Sequence, residues 1–90
     1  MDDLIVLIPC FNNEAGLIKT LSSIQDKVCV LVVDDGSYKK LDKQKLNYNL
    51  GELFLISLKK NSGVARALNA GLSWALENNY KYIARLDAGD

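Results

Sequence analysis

The chain has 90 residues, 49% of them hydrophobic, with 11 basic and 11 acidic residues and no histidine. That length gives one small domain, burying roughly 60–65% of the surface its unfolded chain exposes. Balanced charge without a long block of either sign removes the electrostatic case for nucleic acid or an anionic membrane surface, and Leu4 to Ile8 is too short to span a bilayer.

Met1-Asp2-Asp3 has the wrong charge for a signal-peptide start, so a cytoplasmic chain is expected. Leu4 to Ile8 is a continuous apolar run bounded by Pro9, the pattern of a strand covered on both faces and stopped by the proline. Leu17, Ile18, Leu21 and Ile24 then follow helical spacing, which predicts a helix from about Glu14 to Gln25 capped by Asn12 or Asn13. Val28 to Val33 and Leu53 to Ile56 read as two further buried strands, and the polar stretch from Ser37 to Asn49 between them holds at most a short helix. A longer helix follows, capped by Asn61 or Ser62, with Ala65, Leu68, Leu72, Ala75 and Leu76 on one face. Tyr82 to Leu86 is the fourth strand. Apolar strands alternating with helices predict an α/β fold, a Rossmann-like open parallel sheet of order 3-2-1-4 with β-α-β-(α)-β-α-β connectivity. Cys10 and Cys29 read as buried free thiols without functional weight.

The informative residues lie where strands end. Val32-Val33 runs into Asp34-Asp35-Gly36-Ser37, and Leu86 runs into Asp87-Ala88-Gly89-Asp90. In open α/β sheets ligands bind outside the carboxyl ends of the strands, so two acidic strand ends would face one crevice. Such a crevice suits a metal ion, a hydroxylated ligand, or a phosphate held through a metal. Asp34 and Asp35 point to opposite sides if the strand continues, one toward the ligand while the other caps or braces the loop. Asp87 and Asp90 suit magnesium or manganese, which needs few protein ligands and leaves positions for diphosphate oxygens. Pro9-Cys10-Phe11-Asn12 stands where a dinucleotide-binding chain would place its glycines, offering instead the flat face of Phe11 and the amide of Asn12. Asn61-Ser62-Gly63 adds a loop with a permissive glycine before a helix. Taken singly, each of these segments also reads as an ordinary turn.

In this order the four segments resemble the nucleotide-binding half of a family 2 glycosyltransferase with the GT-A fold. The pattern reads Ile8-Pro9-Cys10-Phe11-Asn12, Val32-Val33-Asp34-Asp35-Gly36-Ser37, the run from Asn61 to Gly71, and Leu86-Asp87-Ala88-Gly89-Asp90, and it spans essentially the whole chain. The resemblance implies transfer of a sugar from a nucleoside diphosphate sugar, with uridine diphosphate sugars the leading class, in cell-wall or polysaccharide biosynthesis and with inversion at the anomeric carbon. It implies that Pro9, Phe11 and Asn12 line the base and ribose pocket, that Asp35 meets the base, and that Asp87 and Asp90 contact the ribose and a divalent cation. Gly63 and Arg66, within the third motif, are carried over as donor-binding residues.

The chain also departs from that pattern. Gly89 stands where many relatives carry a further carboxylate, Asn13 where an acidic residue is frequent, and Val64 where some processive members carry Lys, so Arg66 or Arg85 is left to supply positive charge. Family members place the acceptor pocket and catalytic base beyond the acidic motif, so a truncated donor-binding domain, inactive by itself, is expected. Its fourth strand, an apolar edge carrying Arg85 alone, is expected to pair with a second copy in a homodimer. The rival expectation is a non-catalytic α/β binding or interaction module, either receiver-like or a degenerate glycosyltransferase. A receiver would carry its acidic pair after the first strand, where this chain has Pro9-Cys10-Phe11.

Overall fold

Four parallel strands, β1 (Leu4–Cys10), β2 (Cys29–Asp34), β3 (Leu53–Ser57) and β4 (Tyr82–Arg85), stand in the spatial order β3-β2-β1-β4. Helix α1 (Glu14–Ser23) connects β1 to β2, and α2 (Val64–Glu77) connects β3 to β4. Between β2 and β3 the chain makes one short 3-10 turn, Lys43–Lys45. The computed structural model describes residues 3–88. The architecture is the expected Rossmann-like open parallel sheet of order 3-2-1-4.

Strand alternation divides the core into two layers. On one face Val6, Ile8, Val30 and Val32 pack with Leu17 and Leu21 of α1 and with Leu41 and Leu46 from the β2–β3 connection. On the other, Ile5, Leu7, Leu31 and Val33 pack with Ala67 and Ala75 of α2. A sheet covered on both sides explains why β1 and β2 read as unbroken apolar runs rather than as alternating ones.

Pro9 does not stop β1, contrary to the sequence expectation; it pairs with Val33 inside the strand. The Leu7 carbonyl accepts from Leu86 on the β4 side and the Cys10 carbonyl accepts from Asp35 on the β2 side. By alternation the backbone of Pro9 faces the β4 side, where β4 has already ended at Arg85, so its missing N–H leaves no ladder bond broken.

The buried face of α2 also differs from the expected one. Ala67, Gly71 and Ala75 are buried, whereas Ala65, Leu72 and Leu76 are exposed. Small residues win because the helix lies close to the sheet: a Cβ on Gly71 would meet Leu7 Cδ1 at 2.5 Å. The larger side chains of Leu68 and Trp74 reach the same layer from its flanks, and Trp74 packs on Phe54 with ring centroids 4.8 Å apart. Two cap expectations separate here. Asn13 caps α1, its Oδ1 accepting from Gly16 N–H at 3.0 Å. Neither Asn61 nor Ser62 caps α2, whose N-cap is Gly63 without a side-chain bond; Asn61 Nδ2 donates to Asp35 and Ser62 Oγ to the Lys60 carbonyl instead. Helix α1 stops at Ser23, two residues short of the expected end.

Candidate functional site

The carboxyl ends of β1, β2 and β4 and the N-terminal end of α2 meet around a cleft of about 340 Å³. Its walls include Pro9, Cys10 and Phe11 after β1, Asp35 after β2, Asn61, Gly63, Val64 and Ala67 at the start of α2, and Asp87 and Ala88 after β4. Five residues named from sequence, Pro9, Phe11, Asp35, Gly63 and Asp87, thus converge. Asp90 lies outside the described residues. Arg66 is exposed on α2 and is not among the cleft walls.

Parity sends the two adjacent carboxylates to opposite layers, as the strand geometry predicts. Asp34, 1% exposed, turns toward the α1 layer, where its Oδ1 accepts from Ser37 N–H at 3.0 Å and its Oδ2 from Leu41 N–H at 3.4 Å. It braces the loop after β2. Asp35, 4% exposed, turns toward α2. Its Oδ1 accepts from Ser62 N–H at 2.9 Å, and its Oδ2 accepts from Asn61 Nδ2 at 2.9 Å and Gly63 N–H at 3.0 Å. Asp35 therefore braces the α2 entry loop as well as lining the cleft. Gly36 makes that junction possible: its φ is +74°, and a Cβ there would fall on the backbone of Lys60 and Asn61.

Asn12 sits at φ +51° and clamps two loops together. Its N–H donates to Ser37 Oγ at 2.8 Å, and its Oδ1 accepts from Tyr38 N–H at 2.8 Å. The clamp sets Tyr38 edge-on to Phe11, with ring centroids 5.9 Å apart. Asn12 lines a neighbouring hollow of about 260 Å³ with Glu14, Ser37, Tyr38 and Lys39, rather than the main cleft.

After β4 the chain is tied to α1 by Thr20 Oγ1, which donates to the Asp87 carbonyl at 3.2 Å. The Asp87 carboxylate is largely exposed and takes the Arg85 guanidinium on Oδ1, with Nη2 at 3.0 Å and Nε at 3.1 Å. Arg85 therefore places its positive charge beside the acidic motif. Among the described residues no three His, Cys, Asp or Glu side chains form a metal cluster. One exposed carboxylate on the cleft wall still fits magnesium, which binds through one or two carboxylates with phosphate oxygens and water completing its shell.

Cys10 lines the cleft from below as a buried free thiol. Burial pushes its pKa up, only partly offset by the Asn13 backbone, so the thiol stays protonated and is a poor nucleophile. Cys29 is likewise buried and free. The contributions of Cys10, Val64 and Ala67 to the cleft, and of the Asn61 side chain to Asp35, were not apparent in the sequence. The signal available was the Asn-Ser-Gly loop before a helix, but nothing local pairs residues 26 positions apart.

Among the described residues no helix is long and apolar enough to cross a membrane. Comparison with known proteins agrees with the geometry. The chain is 37% identical over 92 residues to an uncharacterized protein of Methanocaldococcus jannaschii, an alignment covering 93% of this chain and 39% of that protein. It is 28% identical over 95 residues to the poly-beta-1,6-N-acetyl-D-glucosamine synthases of Staphylococcus aureus strains COL and MRSA252, covering 98% of this chain and 22% of each synthase. The chain thus spans well under half the length of these relatives. No solved structure matches it. Residues 5–90 match the model of glycosyl transferase family 2, and the chain belongs to that family.

Proposed function

We propose that the chain forms the donor-binding face of a glycosyltransferase, taking up a nucleoside diphosphate sugar with a divalent cation, magnesium or manganese, for transfer to an acceptor hydroxyl. Uridine diphosphate sugars are the leading donor class. The observation that carries this reading is the convergence of Pro9, Phe11, Asp35, Gly63 and Asp87 on one cleft at the carboxyl edge of a parallel sheet. Phe11, 39% exposed, offers a ring face for a base, and Asp35 offers an acceptor for a base N–H. The exposed Asp87 carboxylate, with Asp90, would hold the cation, whose chemistry is to offset charge growing on the leaving diphosphate. Arg85 holds Asp87 by its Oδ1 and adds a positive charge beside that carboxylate. The two buried free thiols accord with a reducing, cytoplasmic setting.

Titration calorimetry with UDP tests the reading: measurable binding that strengthens on adding magnesium or manganese supports it. Equal affinity with and without metal contradicts the metal role, and absence of binding contradicts the donor site.

The same proposal includes self-association through β4. Tyr82 and Leu86 N–H groups point inward to Asp3 and Leu7 carbonyls, and alternation turns the backbone of Ile83 and Arg85 outward. Tyr82 and Leu86 are exposed along this edge. A second copy laying its β4 antiparallel would exchange bonds between Ile83 and Arg85 about a two-fold axis at Ala84, the smallest side chain of the strand.

A further inference from the structure

An ionised carboxylate offers about four acceptor positions, two on each oxygen. At Asp35 the described residues fill three: Asn61 Nδ2 and Gly63 N–H both donate to Oδ2, and Ser62 N–H donates to Oδ1. One acceptor position remains, on Oδ1, in a residue only 4% exposed that lines the cleft. The Asn61 amide cannot turn away cheaply, because the same Nδ2 also donates to the Asp35 carbonyl at 3.3 Å. Gly36, whose backbone lies against Lys60 and Asn61, keeps the two loops at this separation.

We propose that Asn61 is a specificity-determining positioning residue: by occupying Oδ2 it leaves Asp35 able to accept a single base N–H. The inference rests on the reading of this cleft as a nucleotide site. A base with one ring N–H between two carbonyls, uracil or thymine, matches one open acceptor. Guanine presents an N–H and an adjacent amino group side by side, which a carboxylate recognises only with both oxygens open. With Oδ2 filled, one guanine donor enters the cleft unpaired and loses its water without replacement. Asn61 itself acts through Asp35 and need not touch the ligand.

The test is calorimetric titration of UDP and GDP, in the same magnesium buffer, into the wild-type chain and into Asn61→Ala and Asn61→Gln. Circular dichroism and thermal melts establish that each variant is folded. The expected wild-type result is UDP bound at least about tenfold more tightly than GDP, the effect of one unpaired buried donor. Asn61→Ala opens Oδ2 and should bring the ratio toward unity mainly by strengthening GDP, whereas Asn61→Gln, which can return an amide to Oδ2, should keep the wild-type ratio. Equal wild-type affinities, or an Asn61→Ala variant that weakens both nucleotides by the same factor, would overturn the inference while leaving the nucleotide site standing. A wild-type chain that binds neither nucleotide overturns the site reading itself. If Asn61→Ala does not fold, the wild-type preference and its retention in Asn61→Gln decide the matter.

Discussion

The Asn61 side chain donates to Asp35 Oδ2 at 2.9 Å between residues 26 positions apart, joining the end of β2 to the loop that starts α2. This bond and its neighbours at Ser62 and Gly63 make the rear wall of the cleft a fixed structure before any ligand arrives. Asp35 braces that wall and, in the proposed site, also meets the base, so its replacement should have two consequences.

Asp35→Ala should destabilise the fold as well as remove a base contact. Three donors lose their acceptor, two of them backbone N–H groups with no side chain to rotate away. A loss of about 1.5–3 kcal/mol is expected from breaking a charge-assisted set of this kind, read from urea melts at pH 7. Uridine, which carries no phosphate, should lose its binding together with UDP. Asp35→Asn keeps part of the set and should fall between.

Replacing Asp87 should separate base from diphosphate recognition. Asp87→Ala removes an exposed carboxylate and its Arg85 pair, so stability should change little. Uridine affinity should be unchanged while the metal-dependent part of UDP affinity disappears, and Asp90→Ala should behave alike. Calorimetry with uridine and UDP, with and without magnesium, reads the difference; an equal loss for uridine would refute the division of roles.

Gly36→Ala should be among the most damaging single-methyl changes in the chain. The added carbon meets the backbone of Lys60 and Asn61, and φ +74° is costly for any residue with a Cβ. Left-handed strain and overpacking together suggest a loss of about 2–4 kcal/mol. Chemical denaturation checks the magnitude, and a variant as stable as wild type would mean the two loops do not meet as described.

Alkaline conditions should weaken the fold. Burial raises the Cys10 thiol above its ordinary 9.0 and the Tyr48 phenol above its ordinary 10.0. With folded pKa values above the unfolded ones, the native state holds these protons more tightly. Stability is therefore intact below pH 9 and declines as pH climbs through the unfolded and then the folded values. Urea midpoints at pH 7, 9 and 10.5 should fall in order, and Cys10→Ala with Tyr48→Phe should flatten the decline.

The β4 edge gives a prediction of assembly. Sedimentation over a concentration series should show a monomer–dimer equilibrium, weakened by Tyr82→Lys and by Ile83→Pro, which removes an outward N–H. A chain that stays monomeric at high concentration would contradict pairing through this edge.

How much of this was legible in the sequence varied with how local the cause was. The runs at Leu4–Cys10 and Cys29–Asp34 announced themselves because both faces of the sheet are covered, and the acidic strand ends followed from them. The buried stripe of α2 did not. Leu72 and Leu76 are the more hydrophobic residues, yet the close approach of Gly71 to Leu7 turns the helix so that they are exposed, while Ala67 is buried together with Ala75 of the expected face. Pro9 misled for a similar reason: whether a proline ends a strand depends on whether its neighbour strand has already ended. The Asp35–Asn61 bond was invisible because both residues have good local explanations, a turn carboxylate and a helix cap, and only the tertiary structure shows that they answer each other.

The proposed function places a nucleoside diphosphate in one cleft at the carboxyl edge of the sheet. Its most direct test is amide chemical-shift mapping of the isotope-labelled chain on titration with UDP and magnesium. Perturbations should concentrate at Phe11, Asp35, Asn61, Gly63 and Asp87, with Asp87 moving only when the metal is present. Shifts gathered instead around Lys43–Lys45 and the amino-terminal ends of the strands, or a spectrum unchanged at millimolar UDP, would contradict it.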